Sequence, residues 1–148
     1  MTGVKKATST DLDAIVAIEN ACFTDDRFSR RQLGYLITKA QGACFIISRN
    51  NSVKAYISVI YKNNTSNLRI YSIAVLPEAR GRGFGQMLID KSKTFAREQH
   101  CSKITLEVKT TNAGALALYK KNGFQINGII PNYYHDGTAA YHMILNLK

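Results

Sequence analysis

Apolar residues recur along this chain in two periods, and the switches between them divide it into strands and helices. A short strand over 4–7 leads to Ser9, Thr10 and Asp11, a helix start, after which Leu12, Ile15, Val16 and Glu19 share one helical face continued by Cys22 and Phe23. Beyond a loop over 24–28, Ser29 stands where it can cap a helix over 30–39 with Leu33, Leu36 and Ile37 inward. Strands over 43–48 and 53–61 flank Asn50-Asn51, a hairpin pair, and a polar turn over 62–66 follows. The strand over 68–76 is β-branched and apolar and stops at Pro77, and the next helix carries Phe84, Met87, Leu88 and Phe95 on its stripe. A strand over 104–108, a helix over 113–121 stopped by Asn122-Gly123, and strands over 124–130 and 139–147 complete the chain. The order β-α-α-β-β-β-α-β-α-β-β predicts an α/β fold: a mixed, mostly antiparallel sheet flanked by about four helices.

Composition narrows the class without naming a function. A length of 148 residues fits one domain over 1–148, and 45% hydrophobic with 20% charged residues is the balance of a soluble globular protein. The start, MTGVKKATSTDLD, lacks the apolar stretch of a signal peptide and no run reaches membrane-spanning length, so a cytoplasmic protein with no membrane partner is expected. Cys22, Cys44 and Cys101 are far apart with no metal-ligand spacing, so reduced thiols and no metal are expected. The net charge of +10 is the outlier, but its basic residues are scattered and do not form a nucleic-acid-binding run. Against that background Asp11, Asp13, Glu19, Asp25 and Asp26 occur in a segment without Lys or Arg, either a face for a cationic substrate or a solvated helix start. Glu19 itself reads either as a partly solvated residue at the core rim or as a carboxylate in a substrate cleft.

The turn between the strand over 68–76 and its helix reads Arg80-Gly81-Arg82-Gly83-Phe84-Gly85. Glycine lets the backbone turn there, the first N–H groups of the helix then face outward, and the helix dipole with Arg80 and Arg82 favours a phosphate-bearing ligand. No Lys-Ser/Thr pair follows, so it is not a nucleotide-triphosphate loop of the Walker type. Glu107 lies in an otherwise apolar strand, where partial burial would suit it to proton abstraction. Tyr119, on the following helix, could hydrogen-bond a departing thiolate, or could be core filling. Asn112 could bond a ligand amide or cap that helix. A backbone N–H near Val75 could polarise a carbonyl if the strands diverge there.

The Arg80, Gly83, Gly85 pattern after SIAVLP resembles the coenzyme A pyrophosphate loop of the GNAT superfamily of N-acetyltransferases. The run LEVKTTNAGALALYKKNGF resembles the hallmark segment of ribosomal-protein-alanine N-acetyltransferases within it, with Lys109 in place of the usual arginine. The resemblance implies the GNAT fold and direct acetyl transfer from acetyl-CoA to a primary amine, expected to be the N-terminal α-amine of a protein or peptide. It makes Glu107 the proton acceptor and Tyr119 the proton donor. It assigns coenzyme contacts to Ile73, Ala74, Val75, Arg80, Gly81, Arg82, Gly83, Phe84, Gly85, Gln86 and Asn112. Tyr133 and Tyr134 would wall the acceptor, with Glu19 in the same cleft, and the protein would be a monomer or weak dimer. Two alternatives stay open: an acetylase of small amines (polyamine, amino acid or aminoglycoside), served by the acidic segment, and a non-catalytic CoA-sensing or nucleic-acid-binding module.

Overall fold

A computed structural model describes residues 3–23, 26–39, 41–61 and 66–147. Asp25, most of the 62–66 turn and the start of the 24–28 loop lie outside the described residues. In chain order the elements are β1 (Val4–Lys6), α1 (Leu12–Cys22), α2 (Arg30–Thr38), β2 (Gly42–Arg49), β3 (Ser52–Tyr61), β4 (Asn67–Val75), α3 (Phe84–Glu98), β5 (Lys103–Lys109), α4 (Ala113–Lys121), β6 (Gln125–Ile130) and β7 (Ala140–Asn146). This is the expected order, with edges moved by a residue or two. Ala7 and Leu76 fall outside their strands, and the predicted first helix start, Ser9–Asp11, is a separate 3-10 turn. There the Thr8 amide donates to Asp11 Oδ2 at 2.9 Å.

Local chemistry explains the boundaries. Ser29 Oγ accepts from the Gln32 amide at 3.1 Å while Gln32 Oε1 accepts from the Ser29 amide at 2.8 Å, a reciprocal cap that starts α2. Asn50 and Asn51 both take positive φ, 54° and 63°, the left-handed pair that joins two strands in register at Arg49 and Ser52. Gly123 at φ 95° ends α4, and the Phe124 amide reaches back to the Tyr119 carbonyl at 3.0 Å.

The described strands form one seven-stranded sheet, order β1-β2-β3-β4-β5-β7-β6, antiparallel except between β4 and β5. One core, under α3 and α4, gathers Phe45, Ile57, Leu68, Phe84, Leu88, Ile104, Leu106 and Met143; the other, under α1 and α2, gathers Ile15, Ile18, Leu33, Ile46, Tyr56 and Ala74. β4 serves both. Its ladder with β3 runs Val59↔Ile70 and then Ser58↔Ser72, so Tyr71 is an extra residue that bulges the strand. Leu68 and Ile70 enter the first core before the bulge, and Ala74 enters the second after it.

The parallel pair β4–β5 is short. It holds over Asn67↔Lys103, Leu68↔Ile104 and Arg69↔Thr105, and no further pair follows. β4 continues along β3 and β5 along β7, so the two strands part and open a wedge at their C-terminal ends.

Steric demands at two glycines give a test of the fold. A Cβ at Gly42 would stand 2.0 Å from the Val59 carbonyl oxygen, whereas one at Gly114 in α4 would meet nothing within 4 Å. Gly42→Ala should destabilise the protein by at least about 2 kcal/mol, because strand backbone must move. Gly114→Ala should be neutral or stabilising by up to about 1 kcal/mol. Urea unfolding of both variants reads the difference.

Candidate active site

The wedge between β4 and β5 is a cavity of about 570 Å³, lined from one side by Arg69 to Ile73 and from the other by Leu106 to Lys109. Seven of the expected catalytic, coenzyme and acceptor residues line it, Glu19, Ile73, Glu107, Asn112, Tyr119, Tyr133 and Tyr134, and Asp26 of the acidic segment joins them. The loop residues Arg80, Gly81, Arg82, Gly83, Phe84, Gly85 and Gln86 do not, nor do Ala74 and Val75.

Glu107 is mostly buried, its side chain 13% exposed, and both its oxygens have partners. Its Oε1 accepts from Arg69 Nε at 3.1 Å and Nη2 at 2.7 Å, and its Oε2 lies 2.9 Å from His142 Nδ1. Register explains the second partner, since Glu107 and His142 stand opposite each other on β5 and β7. Tyr119 is buried near the end of α4 beside Phe124, ring centroids 5.7 Å apart. Burial, and then the nearby Tyr134, pushes its phenol up, so the hydroxyl stays protonated at any working pH. That hydroxyl makes no hydrogen bond among the described residues.

β4 supplies main-chain groups to the same wedge. The Leu76 amide donates to the Lys54 carbonyl of β3 at 2.9 Å, so the ladder's alternation turns the peptide groups of Val75 and Ile73 toward the side β5 has left. The Val75 carbonyl there accepts from Arg80 Nε at 3.1 Å and from the Cys22 thiol at 3.4 Å. The divergence required for a free donor near Val75 is therefore present.

The glycine-rich turn has the geometry of an anion cradle. Gly81 and Gly83 take φ of 80° and 82°, and a Cβ on either would face open space. Conformation, not crowding, requires glycine at both. The first α3 bond runs from the Met87 amide to the Gly83 carbonyl at 3.0 Å, so the amides of Phe84, Gly85 and Gln86 lack acceptors within the helix. Arg82 is exposed and has no partner among the described residues.

Several side chains of this region are engaged within the chain. Arg80 turns back onto the Val75 carbonyl. Phe84 buries its side chain in the core under α3, and Ala74 buries its own in the opposite core, which leaves each only main-chain groups to offer. Gly85 lets α4 approach: a Cβ there would sit 3.2 Å from Leu118 Cδ2. The Gln86 side chain is engaged with Asn122, donating to its Oδ1 at 2.7 Å and accepting from its Nδ2 at 2.9 Å. Asn112 does cap α4, its Oδ1 accepting from the Ala115 amide at 3.1 Å, while still lining the cavity.

Glu19 is not at a solvated rim. It is 1% exposed, and it accepts from the Phe28 amide at 2.7 Å, from the Tyr56 hydroxyl, and from Ser72 Oγ at 3.5 Å. Desolvation raises its pKa above the ordinary 4.5, against the lowering effect of those donors. The rest of the described acidic segment is also engaged. Asp11 caps its turn, Asp13 pairs with Arg30, and Asp26 accepts from the His135 amide at 3.0 Å and pairs with Lys109 at 3.8 Å.

Sequence reasoning missed Arg69, His142 and Phe28, and saw Asp26 only as part of the acidic segment. Arg69 and His142 carried a faint signal, being polar residues in strands of otherwise apolar character. Only the pairing of β4, β5 and β7 sets them beside Glu107. The cysteines are free, and burial raises the pKa of Cys22, Cys44 and Cys101 alike, as packed thiols would have it.

Residues 12–124 match the acetyltransferase (GNAT) family. The chain belongs to that family. This GNAT protein is 30% identical over 152 residues to a protein of Saccharolobus solfataricus named N-alpha-acetyltransferase, covering 95% of this chain and 90% of the relative. Its fold superposes on the ribosomal-protein-S18-alanine N-acetyltransferase of Escherichia coli with a TM-score of 0.90 and 25% identity, covering 100% and 95% of the two chains. Against Ard1 of Thermoplasma volcanium the TM-score is 0.89 at 27% identity, covering 99% and 98%. The GNAT protein is thus an N-acetyltransferase of a family that uses acetyl-CoA.

The buried Glu19 gives a pH test. A carboxyl whose folded pKa is raised binds its proton more tightly folded than unfolded, so its contribution to stability declines as pH rises from 4.5 through the raised value. Urea unfolding from pH 4 to 7 should therefore show the wild type losing stability relative to Glu19→Gln across that window. Parallel curves would mean that Glu19 is not desolvated.

Proposed function

We propose that this N-acetyltransferase transfers acetyl from acetyl-CoA directly to the N-terminal α-amine of a protein or peptide. The observation that carries the reading is that one cavity holds an acid, a free phenol and a strand edge stripped of its neighbour. In this reading the amides of Phe84, Gly85 and Gln86, with Gly81, Gly83 and the free Arg82, hold the coenzyme's diphosphate. The peptide groups of Ile73 and Val75 hold its amide chain and thioester, Asn112 borders that chain, and Ala74 and Arg80 keep the strand in place.

Acetyl transfer joins the amine nitrogen to the carbonyl carbon and breaks the carbon–sulfur bond. Glu107 takes the proton that the amine sheds. Tyr119 donates a hydrogen bond to the departing sulfur. Because burial raises the pKa of the phenol, full proton transfer from it would run uphill, and its contribution is chiefly that hydrogen bond. The thiols have no part, as burial keeps them protonated.

The acceptor's class follows from the cavity walls. Tyr133 and Tyr134 stand on the β6–β7 loop with centroids 4.9 Å apart and line the cavity together with Phe28. A polycationic small amine would need free carboxylates, and Glu19 and Asp26 already have protein donors. An α-amine with reference pKa near 8 reaches its neutral form about 3 kcal/mol more easily than a lysine amine. The relatives named for N-alpha acetylation support the same choice.

Glu107→Gln and Tyr119→Phe should each slow acetyl transfer about ten- to a hundredfold with acetyl-CoA affinity within about twofold of wild type. Mass spectrometry of a peptide panel should find acetyl on free α-amines and leave α-blocked, lysine-containing peptides unmodified. Full rate in both variants, or faster turnover of small amines than of peptides, would overturn the reading.

A further inference from the structure

Arg69 is the one cationic side chain that β4 presents to the cavity, and it touches Glu107, Tyr133 and Tyr71. Its Nε and Nη2 both donate to Glu107 Oε1, at 3.1 and 2.7 Å, and Nη2 also lies 3.4 Å from the Tyr133 hydroxyl. Its Cζ stands 4.9 Å from the centroid of the Tyr71 ring. Tyr71, the bulge residue, in turn stacks on Phe28 with centroids 4.9 Å apart and planes inclined by 12°. One guanidinium thus ties β5, the β6–β7 loop and, through Tyr71, the loop after α1.

The groups facing Glu107 are Arg69 from β4, His142 from β7, and Tyr133 and Tyr134 from the β6–β7 loop. A carboxylate offers about four lone-pair positions. Two N–H groups of a rigid fork on one oxygen and an imidazole nitrogen on the other fix its plane, leaving the remaining positions for the cavity. The guanidinium cannot give up its own proton, so Arg69 orients the carboxylate without competing for the proton it takes.

The geometry points to Arg69 as the positioning residue of acetyl transfer: it fixes the orientation of the Glu107 carboxylate and draws Tyr133 over the acceptor. The assignment rests on Glu107 being the proton acceptor. Its consequences are separable. Loss of the fork frees the Glu107 carboxylate to turn away from the amine, so kcat falls. Loss of the Tyr133 contact weakens the acceptor and leaves the coenzyme untouched.

The test is steady-state kinetics of Arg69→Met and Arg69→Lys with acetyl-CoA and a peptide acceptor. Arg69→Met should lower kcat at least about tenfold, raise the acceptor KM several-fold, on the order of the loss of one ordering contact, and leave the acetyl-CoA KM within about twofold. Arg69→Lys should recover only part of the rate, because the fork is lost. Arg69→Gln replaces Arg69→Met if the latter does not unfold cooperatively. Unchanged kcat and acceptor KM in Arg69→Met, or an acetyl-CoA KM raised as much as the acceptor KM, would overturn the proposal and reduce Arg69 to packing. Glu107→Gln is assayed alongside: full rate there would remove the proton acceptor itself, whereas a slow Glu107→Gln with an unchanged Arg69→Met would refute only the role of Arg69.

Discussion

The parting of β4 from β5 is the constraint on which the rest depends. Strands in a sheet satisfy their peptide groups on each other, and a parallel neighbour that leaves after Arg69↔Thr105 abandons the donors and acceptors beyond it. Part of that deficit is met within the chain, where the Val75 carbonyl takes Arg80 and Cys22. The rest faces a cavity. Each strand remains firmly held by its other neighbour, β4 by β3 and β5 by β7, so the wedge costs the sheet little of its pairing.

The bulge at Tyr71 makes the wedge chemically useful. It lets one strand feed two cores and sets Arg69, Tyr71 and Ser72 along the walls of a single cavity. Glu107 reaches the same space from β5, Tyr119 from α4, and the tyrosines from the β6–β7 loop. Residues separated by most of the chain's length meet because two strands diverge, and the surrounding helices close the space that divergence makes.

The order of the elements was legible from hydrophobic period alone, because buried strands and amphipathic helices leave different repeats. Gly81, Gly83, Asn112 and Ser29 were legible for a local reason: left-handed turns and helix caps demand particular residues wherever they occur. Glu107 stood out as a charge in an apolar strand. Arg69 and His142 did not, and Asp26 showed only as one member of an acidic run, since their meaning comes from partners 35 to 109 positions away in sequence, through register and loop approach. Glu19 was ambiguous for a related reason. Its helical position put it on the apolar face, but only the Tyr56 and Ser72 hydroxyls, on strands yet to be arranged, explain how a carboxylate survives there.

The amide pair between Gln86 and Asn122 links the first turn of α3 to the last turn of α4, three residues beyond Tyr119. With Gly85 and Leu118 in close contact beside it, the two helix ends form one stiff bracket. The span between the anion cradle and the buried phenol is then a fixed gauge, set by the scaffold and not by whatever occupies the space between. Under the proposed function, a coenzyme analogue of the wrong reach would find either its head or its tail out of place.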